Sequence, residues 1–99
     1  MSLIQAFVKY KTKSGCEEEF VERLKAADRS QDNCKAWSVT SLDNGEFIET
    51  ITYNTIDGIV EDQDKGIAWL DSVDHLLVKH PNGSRTEAFS GIIVDEGSK

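Results

Sequence analysis

The side chains best suited to acid–base chemistry near neutral pH are the two histidines, His75 and His80. Their spacing of five residues does not form an i, i+4 pair, which argues against a two-histidine metal site, and the sequence predicts no metal site elsewhere. His75 lies beside Asp71 and Asp74, either of which could orient it as a general base. An ordinary charged surface helix explains the same residues, and His80 at a helix end also fits a cation that the helix dipole stabilises.

Aromatic side chains form the second group of candidates. Trp37, Tyr53 and Trp69 each combine apolar surface with one hydrogen-bond donor, which suits the wall of a small-molecule pocket. Together with His80 they are the predicted ligand-binding residues, and His75 is the predicted catalytic residue. Burial in the core of a small domain is the alternative explanation for these aromatics, and for Tyr53 we favour it.

Length and charge limit the classes of function. The 99 residues suffice for one domain, which we expect to span 1–99 with a flexible tail at 95–99. The net charge of -7 repels phosphate backbones, and no local cluster of basic residues compensates for it. We therefore expect neither nucleic acid nor an anionic membrane surface as a partner.

The cysteines and the hydropathy pattern predict a location. Cys16 and Cys34 form no Cys-x-x-Cys pair, and two cysteines are too few for a disulfide scaffold. No apolar run is long enough to cross a membrane, and no secretory signal is apparent at the start. These features predict a cytoplasmic protein with two free thiols.

Apolar periodicity and turn residues predict the elements that must position the candidate side chains. Ser14 and Glu17 match a capping box at the start of the first helix, Asn44-Gly45 matches a two-residue hairpin turn, and Asp64 is the predicted N-cap of the second helix. Residues 55–64 fit either a short hairpin or a loop. The predicted strands cover 3–12, 34–42, 46–55 and 85–94, and the predicted helices cover 15–29 and the segment from Asp64 to Pro81.

The order strand, helix, strand, strand, helix, strand predicts a ferredoxin-like α+β fold. Right-handed crossovers then place both helices on one face of a four-stranded antiparallel sheet. The first and last strands carry large apolar residues on both faces, with Phe7 opposite Val8 and Phe89 opposite Ile92. A second face of this kind predicts a homodimer that packs two sheets together, unless residues 55–64 cover that face from within.

The opening strand, Ile4 to Tyr10, and the segment from Lys13 to Phe20 with its Gly-x-Glu-x-x-Phe spacing resemble the dimeric α/β-barrel superfamily, whose members include antibiotic-biosynthesis-type monooxygenases. The Asn-Gly hairpin and the short second helix with Trp69 agree, so the resemblance covers most of the chain. It implies a dimer with sheets packed back to back. Members of the superfamily range from cofactor-free oxygenases to haem-degrading enzymes to proteins with no known chemistry.

Three functions stay open at this point. The first is a monooxygenase without a cofactor, acting on a small aromatic substrate between the helices and the sheet. The second is a non-catalytic dimer that binds a small apolar ligand or a protein. The third is haem binding or degradation, for which the resemblance implies an Asn on the first strand, a Trp and a His. Trp69 and either His75 or His80 match the last two, but the first strand offers only Gln5 in place of the Asn.

Overall fold

The computed structural model describes residues 3–99 and has the predicted order of elements. The strands are β1 (Ile4–Lys11), β2 (Ala36–Ser41), β3 (Glu46–Tyr53) and β4 (Glu87–Ile92), and the α-helices are α1 (Glu17–Ala26) and α2 (Ile56–Val73). Residues 1 and 2 of the predicted domain lie outside this described part. Between Leu3 and Lys99, no helix has the length and the apolar character needed to cross a membrane.

The strands form one antiparallel sheet in the order β2-β3-β1-β4. Tyr10 on β1 pairs with Phe47 on β3, and because side chains alternate along a strand, both rings lie on the same face. Phe20 of α1 and Trp69 of α2 contact the Tyr10 ring at centroid distances of 5.2 and 6.1 Å. Both helices therefore cover one face of the sheet, and the predicted ferredoxin-like α+β fold is confirmed.

The core lies at the end of the sheet where Tyr10 pairs with Phe47. Phe20 and Val73 are completely buried there, and the Phe20 ring lies 5.2 Å from the Phe47 ring. The other fully packed members are Tyr10, Leu24, Leu76 and Leu77. Because these side chains fill one end only, the opposite end of the helix–sheet interface stays open.

The hairpin between β2 and β3 has the backbone that Asn and Gly favour. Asn44 has φ 61° and Gly45 has φ 74°, as the Asn-Gly pair predicts. The Leu42 N–H donates to the Glu46 carbonyl at 2.7 Å, so three residues, Asp43–Gly45, lie between the paired ones. The turn is therefore one residue longer than predicted.

Helix α2 begins earlier than the sequence predicts. Thr55 is its N-cap, with the Thr55 hydroxyl accepting from the Gly58 N–H at 3.2 Å, so the prediction that Asp64 caps the helix is wrong. Residues 55–64 thus form the first half of α2 instead of a hairpin or a loop. The helix ends at Val73, and His75 lies in a following 3₁₀ turn, Asp74–Leu76.

Helix α1 is shorter than predicted, and Ser14 does not cap it. The N-cap position is Cys16, which has no side-chain cap bond, and the helix runs over Glu17–Ala26 instead of 15–29. Gly15, with φ 85°, forms a turn in which the Cys16 N–H donates to the Lys13 carbonyl at 3.0 Å. This turn moves the start of the helix beyond the reach of the Ser14 hydroxyl.

Candidate functional site

A cavity of about 600 Å³ opens between the two helices and the sheet, beside the packed core. Most of its wall is apolar, with Val8 and Ile51 from the sheet, Leu24 from α1, and Trp69 and Leu70 from α2. Sites for small organic molecules occupy roughly 300–1,000 Å³ and have similar walls. The cavity is thus large enough, and apolar enough, to hold a small ligand.

A carboxylate lies in the sheet wall of this cavity. Glu49 lies between Phe47 and Ile51 on the helix-facing side of β3, and it is only 5% exposed. Its carboxylate accepts from the Tyr10 hydroxyl at 2.9 Å and from the Arg29 guanidinium at 2.5 Å. A buried charge is costly unless it is paired, and Arg29 and Tyr10 supply a positive charge and a hydrogen-bond donor to this carboxylate.

Tyr10 stays a neutral phenol over the physiological range. Burial raises its pKa well above the usual value near 10, and the negative charge of Glu49 raises the pKa further. The hydroxyl of Tyr10 is therefore a donor to the Glu49 carboxylate. Tyr10 can orient that carboxylate but does not supply a phenolate.

A second polar pair, Tyr53 and Asp62, lies on another part of the cavity wall. The Tyr53 hydroxyl donates to Asp62 at 3.0 Å, and the Asn33 side-chain amide donates to Asp62 at 2.8 Å. Burial and the bond to Asp62 raise the pKa of Tyr53, so it too stays protonated. Asp62 lies on α2 and Asn33 lies in the α1–β2 connection, so their hydrogen bond links this connection to the helix.

Arg29 is held from a second side by Trp37. The guanidinium lies 4.8 Å from the centre of the Trp37 ring, which is a cation–π contact. Trp37 is half-exposed and is not among the residues that line the cavity. Its contact with the site is therefore through Arg29, which does line the cavity.

Cys34 also lines the cavity and, like Cys16, is a free thiol. Burial raises the pKa of the Cys34 thiol, and the nearby carboxylate of Asp32 raises it further. At neutral pH the group is a thiol and not a nucleophilic thiolate. Among residues 3–99, no group of three or more His, Cys, Asp or Glu side chains is placed to hold a metal ion.

The structure brings two of the predicted site residues together, since Tyr53 and Trp69 both line the cavity. Trp37, His75 and His80 do not line it. The two histidines are therefore not part of the cavity wall to which Trp69 belongs. The predicted roles of these residues, and the haem alternative, stay predictions.

The histidines have other neighbours than the sequence predicts. The side chain of His75 is 60% exposed, and its nearest acidic partner is Glu19 at 3.9 Å. The carboxylates of Asp71 and Asp74 lie instead beside Arg85, at 2.7 and 3.5 Å. His80 is nearly buried, with ring nitrogens 3.3 Å from the Glu87 carboxylate and 3.3 Å from the Ser84 carbonyl.

The polar residues of the cavity that sequence reasoning missed include Arg29, Glu49 and Asp62. Glu49 carried a usable signal, because it interrupts the apolar face that Phe47 and Ile51 share on β3. A charged residue at such a position requires a buried partner. The partners themselves come from distant parts of the chain and have no signal in the local sequence.

Comparison with known proteins supports the fold. Among solved structures, the chain is similar to a protein of unknown function from Nitrosomonas europaea, with a TM-score of 0.77, 16% identity, and coverage of 100% of this chain and 96% of that one. It is also similar to a provisionally assigned antibiotic biosynthesis monooxygenase from Chloroflexus aurantiacus, with a TM-score of 0.74, 12% identity and 98% coverage of both chains. The chain has the fold of these proteins.

A third similar structure is a dimeric ferredoxin-like protein from an uncultured marine organism, with a TM-score of 0.69 and 15% identity, covering 99% of this chain and 92% of that one. No protein-family model and no curated protein sequence matches the chain. At these identities the likeness shows the ferredoxin-like fold alone. The resemblance to antibiotic-biosynthesis-type monooxygenases that the sequence predicts is thereby confirmed as a resemblance of fold.

Proposed function

We propose that this protein is a homodimeric monooxygenase-type enzyme that takes a small aromatic substrate into the cavity between the helices and the sheet and needs no cofactor. The observation that carries this proposal is a buried carboxylate, Glu49, in the wall of a mostly apolar cavity of about 600 Å³. An apolar cavity favours an aromatic body, and a carboxylate there can accept the proton of an aromatic hydroxyl.

The proposed reaction uses O₂ as the oxidant. Glu49 takes the proton of a substrate hydroxyl, and the positive charge of Arg29 stabilises the phenolate. The phenolate then reduces O₂, and a ring C–H carbon ortho or para to the hydroxyl becomes a carbonyl. One oxygen atom of O₂ remains in that carbonyl and the other leaves as water, so the four electrons that O₂ accepts all come from the substrate.

The test is O₂ consumption and quinone formation with a panel of dihydroxyaromatic compounds. We expect the Glu49→Gln variant to lose about 10²- to 10⁴-fold in kcat, because glutamine keeps the shape of the side chain but cannot take a proton. A panel that stays unoxidised above background by the wild-type protein would rule out the proposed activity.

The His75→Asn variant is the matched control. His75 is exposed and does not line the cavity, so we expect kcat within about twofold of the wild-type value if Glu49 is the base. A loss of turnover in His75→Asn with full activity in Glu49→Gln would instead assign the base to His75, as the sequence predicts.

A non-catalytic small-ligand-binding protein is the second candidate. It is favoured by the finding that, between residues 3 and 99, no buried side-chain nitrogen or oxygen lacks a hydrogen-bond partner. Glu49, Tyr10 and Arg29 thus satisfy one another without a ligand. This candidate predicts that aromatic compounds bind, with a measurable Kd by calorimetry, but are not oxidised.

The homodimer is part of the proposal because the sheet has an uncovered face. Alternation along the strands places the paired residues Phe7 and Phe89 on the face away from the helices, where their rings stack at 5.1 Å and Phe89 is 57% exposed. A second copy would cover this surface.

The free thiols of Cys16 and Cys34 support the cytoplasmic location that the sequence predicts.

A further inference from the structure

Gly66 lies on the face of α2 that looks into the cavity. It follows Asp62 by one helical turn and precedes Val73 by two, and these positions share one side of a helix. Asp62 reaches Tyr53 on the sheet, and Val73 is completely buried. Gly66 is exposed to solvent and is also among the residues that line the cavity.

The backbone gives no reason for a glycine at this position. A glycine inside a helix destabilises it relative to alanine, because glycine loses more conformational freedom on folding. Gly66 has helical backbone geometry and is not one of the glycines with positive φ. Any residue with a good helix propensity could therefore adopt its conformation.

Packing within the chain gives no reason either. A Cβ atom placed on Gly66 would meet no other atom within 4 Å. Gly58, eight residues earlier on the same helix, is different, because a Cβ there would come within 3.1 Å of the Tyr53 ring and 3.2 Å of Asn33. Close packing explains Gly58, whereas the space beside Gly66 is empty.

We propose that Gly66 determines the size of the ligand, because its missing side chain leaves room in the helix wall of the cavity for the apolar body of the ligand. This proposal rests on the proposed function, since it takes the cavity to be the ligand site. Glu49 holds the polar group of the ligand at the sheet wall, and the width between that wall and α2 at Gly66 limits how large the attached ring system can be. Larger residues at position 66 would admit single rings and reject fused ones.

The test is the binding of phenol and 1-naphthol, measured by calorimetry on wild-type protein and on the Gly66→Leu and Gly66→Ala variants. We expect Gly66→Leu to raise the Kd of 1-naphthol by about tenfold or more, and to change that of phenol by less than about threefold. Gly66→Ala adds a single carbon atom, so we expect about a threefold loss for 1-naphthol. It also raises the midpoint of thermal unfolding by roughly 2–8 °C.

The Ala68→Leu variant is the matched control, because Ala68 is exposed on the same helix, as Gly66 is, but does not line the cavity. We expect it to bind both compounds as the wild-type protein does.

Equal losses for phenol and 1-naphthol in Gly66→Leu, or a similar loss in Ala68→Leu, would overturn the role of Gly66. Unchanged binding in both Gly66 variants would overturn it as well and leave the proposed function standing, whereas a wild-type protein that binds neither compound would overturn both. If Gly66→Leu does not fold, Gly66→Ala decides the question on the same two compounds.

Discussion

Glu49 shows how a single residue can make a cavity chemically useful. Its carboxylate is 5% exposed, and removing a charge from water costs several kcal/mol unless partners compensate. Arg29 supplies the opposite charge, and the Tyr10 hydroxyl supplies a hydrogen bond. Since Arg29 belongs to the α1–β2 connection, the pair also joins that connection to the sheet and shapes one side of the site.

The tyrosines give a prediction about pH at the residue scale. The pKa values of Tyr10 and Tyr53 are both raised, mainly by burial. In the unfolded chain each phenol ionises near its ordinary value of 10.0, whereas in the folded chain it stays protonated. Above pH 10 the unfolded state therefore binds fewer protons, and the free energy of unfolding falls as pH rises.

We expect the ultraviolet absorbance of folded protein to show no phenolate transition near pH 10.0, because the chain has only these two tyrosines. In concentrated urea both should ionise there. Urea unfolding at several pH values above 10.0 should show a smaller loss of stability for Tyr10→Phe than for wild-type protein. A folded protein whose phenols ionise near the ordinary value would contradict the burial of Tyr10.

Helix α2 is the element on which the site most depends. It supplies eight residues to the cavity wall, and three of them, Ile59, Asp62 and Gln63, precede Asp64. A helix that began near Asp64 would lack these three positions, so this part of the wall depends on the start of α2 at Ile56.

Two capping variants test where the helices begin. We expect Thr55→Ala to lower the free energy of unfolding by about 1 kcal/mol, because the Thr55 hydroxyl accepts from the Gly58 N–H. The matched control is Ser14→Ala, for which we expect a change within about 0.5 kcal/mol, since α1 has no side-chain cap bond. Urea unfolding measures both, and a larger loss for Ser14→Ala would favour the capping box that the sequence predicts.

At the scale of the whole molecule, the two faces of the sheet differ, because only one of them is covered by the helices. The face toward the helices holds the core and most of the cavity wall. Alternation along the strands places the stacked pair Phe7 and Phe89, which also border the cavity, on the opposite face. A chain of 99 residues has a thin core, so covering further apolar surface with a second copy would add considerably to stability. The proposed dimer would therefore support the fold that carries the site.

Native mass spectrometry tests the assembly. We expect wild-type protein to have the mass of two chains, and Phe89→Glu to have the mass of one, because a charge buried in an apolar interface is costly. Val60→Glu is the control, since Val60 on α2 is 59% exposed, close to the 57% of Phe89, and lies on the helix side. Circular dichroism verifies that both variants fold, and a dimeric Phe89→Glu variant would contradict this interface.

Local sequence patterns were enough for the order of the elements and for the orientation of their side chains. Alternation along β1 and β3 places Tyr10 and Phe47 toward the helices, and the Asn44-Gly45 pair predicts the positive φ angles of the hairpin. These features depend on residues a few positions apart, so the local sequence is sufficient to predict them.

The tertiary structure decided the contents of the site. Glu49 meets Tyr10 across 39 positions of the chain and Arg29 across 20, and only the packing of separate elements brings these groups together. The close packing of Gly58 against the Tyr53 ring and Asn33 is also a tertiary feature. Periodicity identifies the face on which a residue lies, but which residues meet there depends on how distant segments pack.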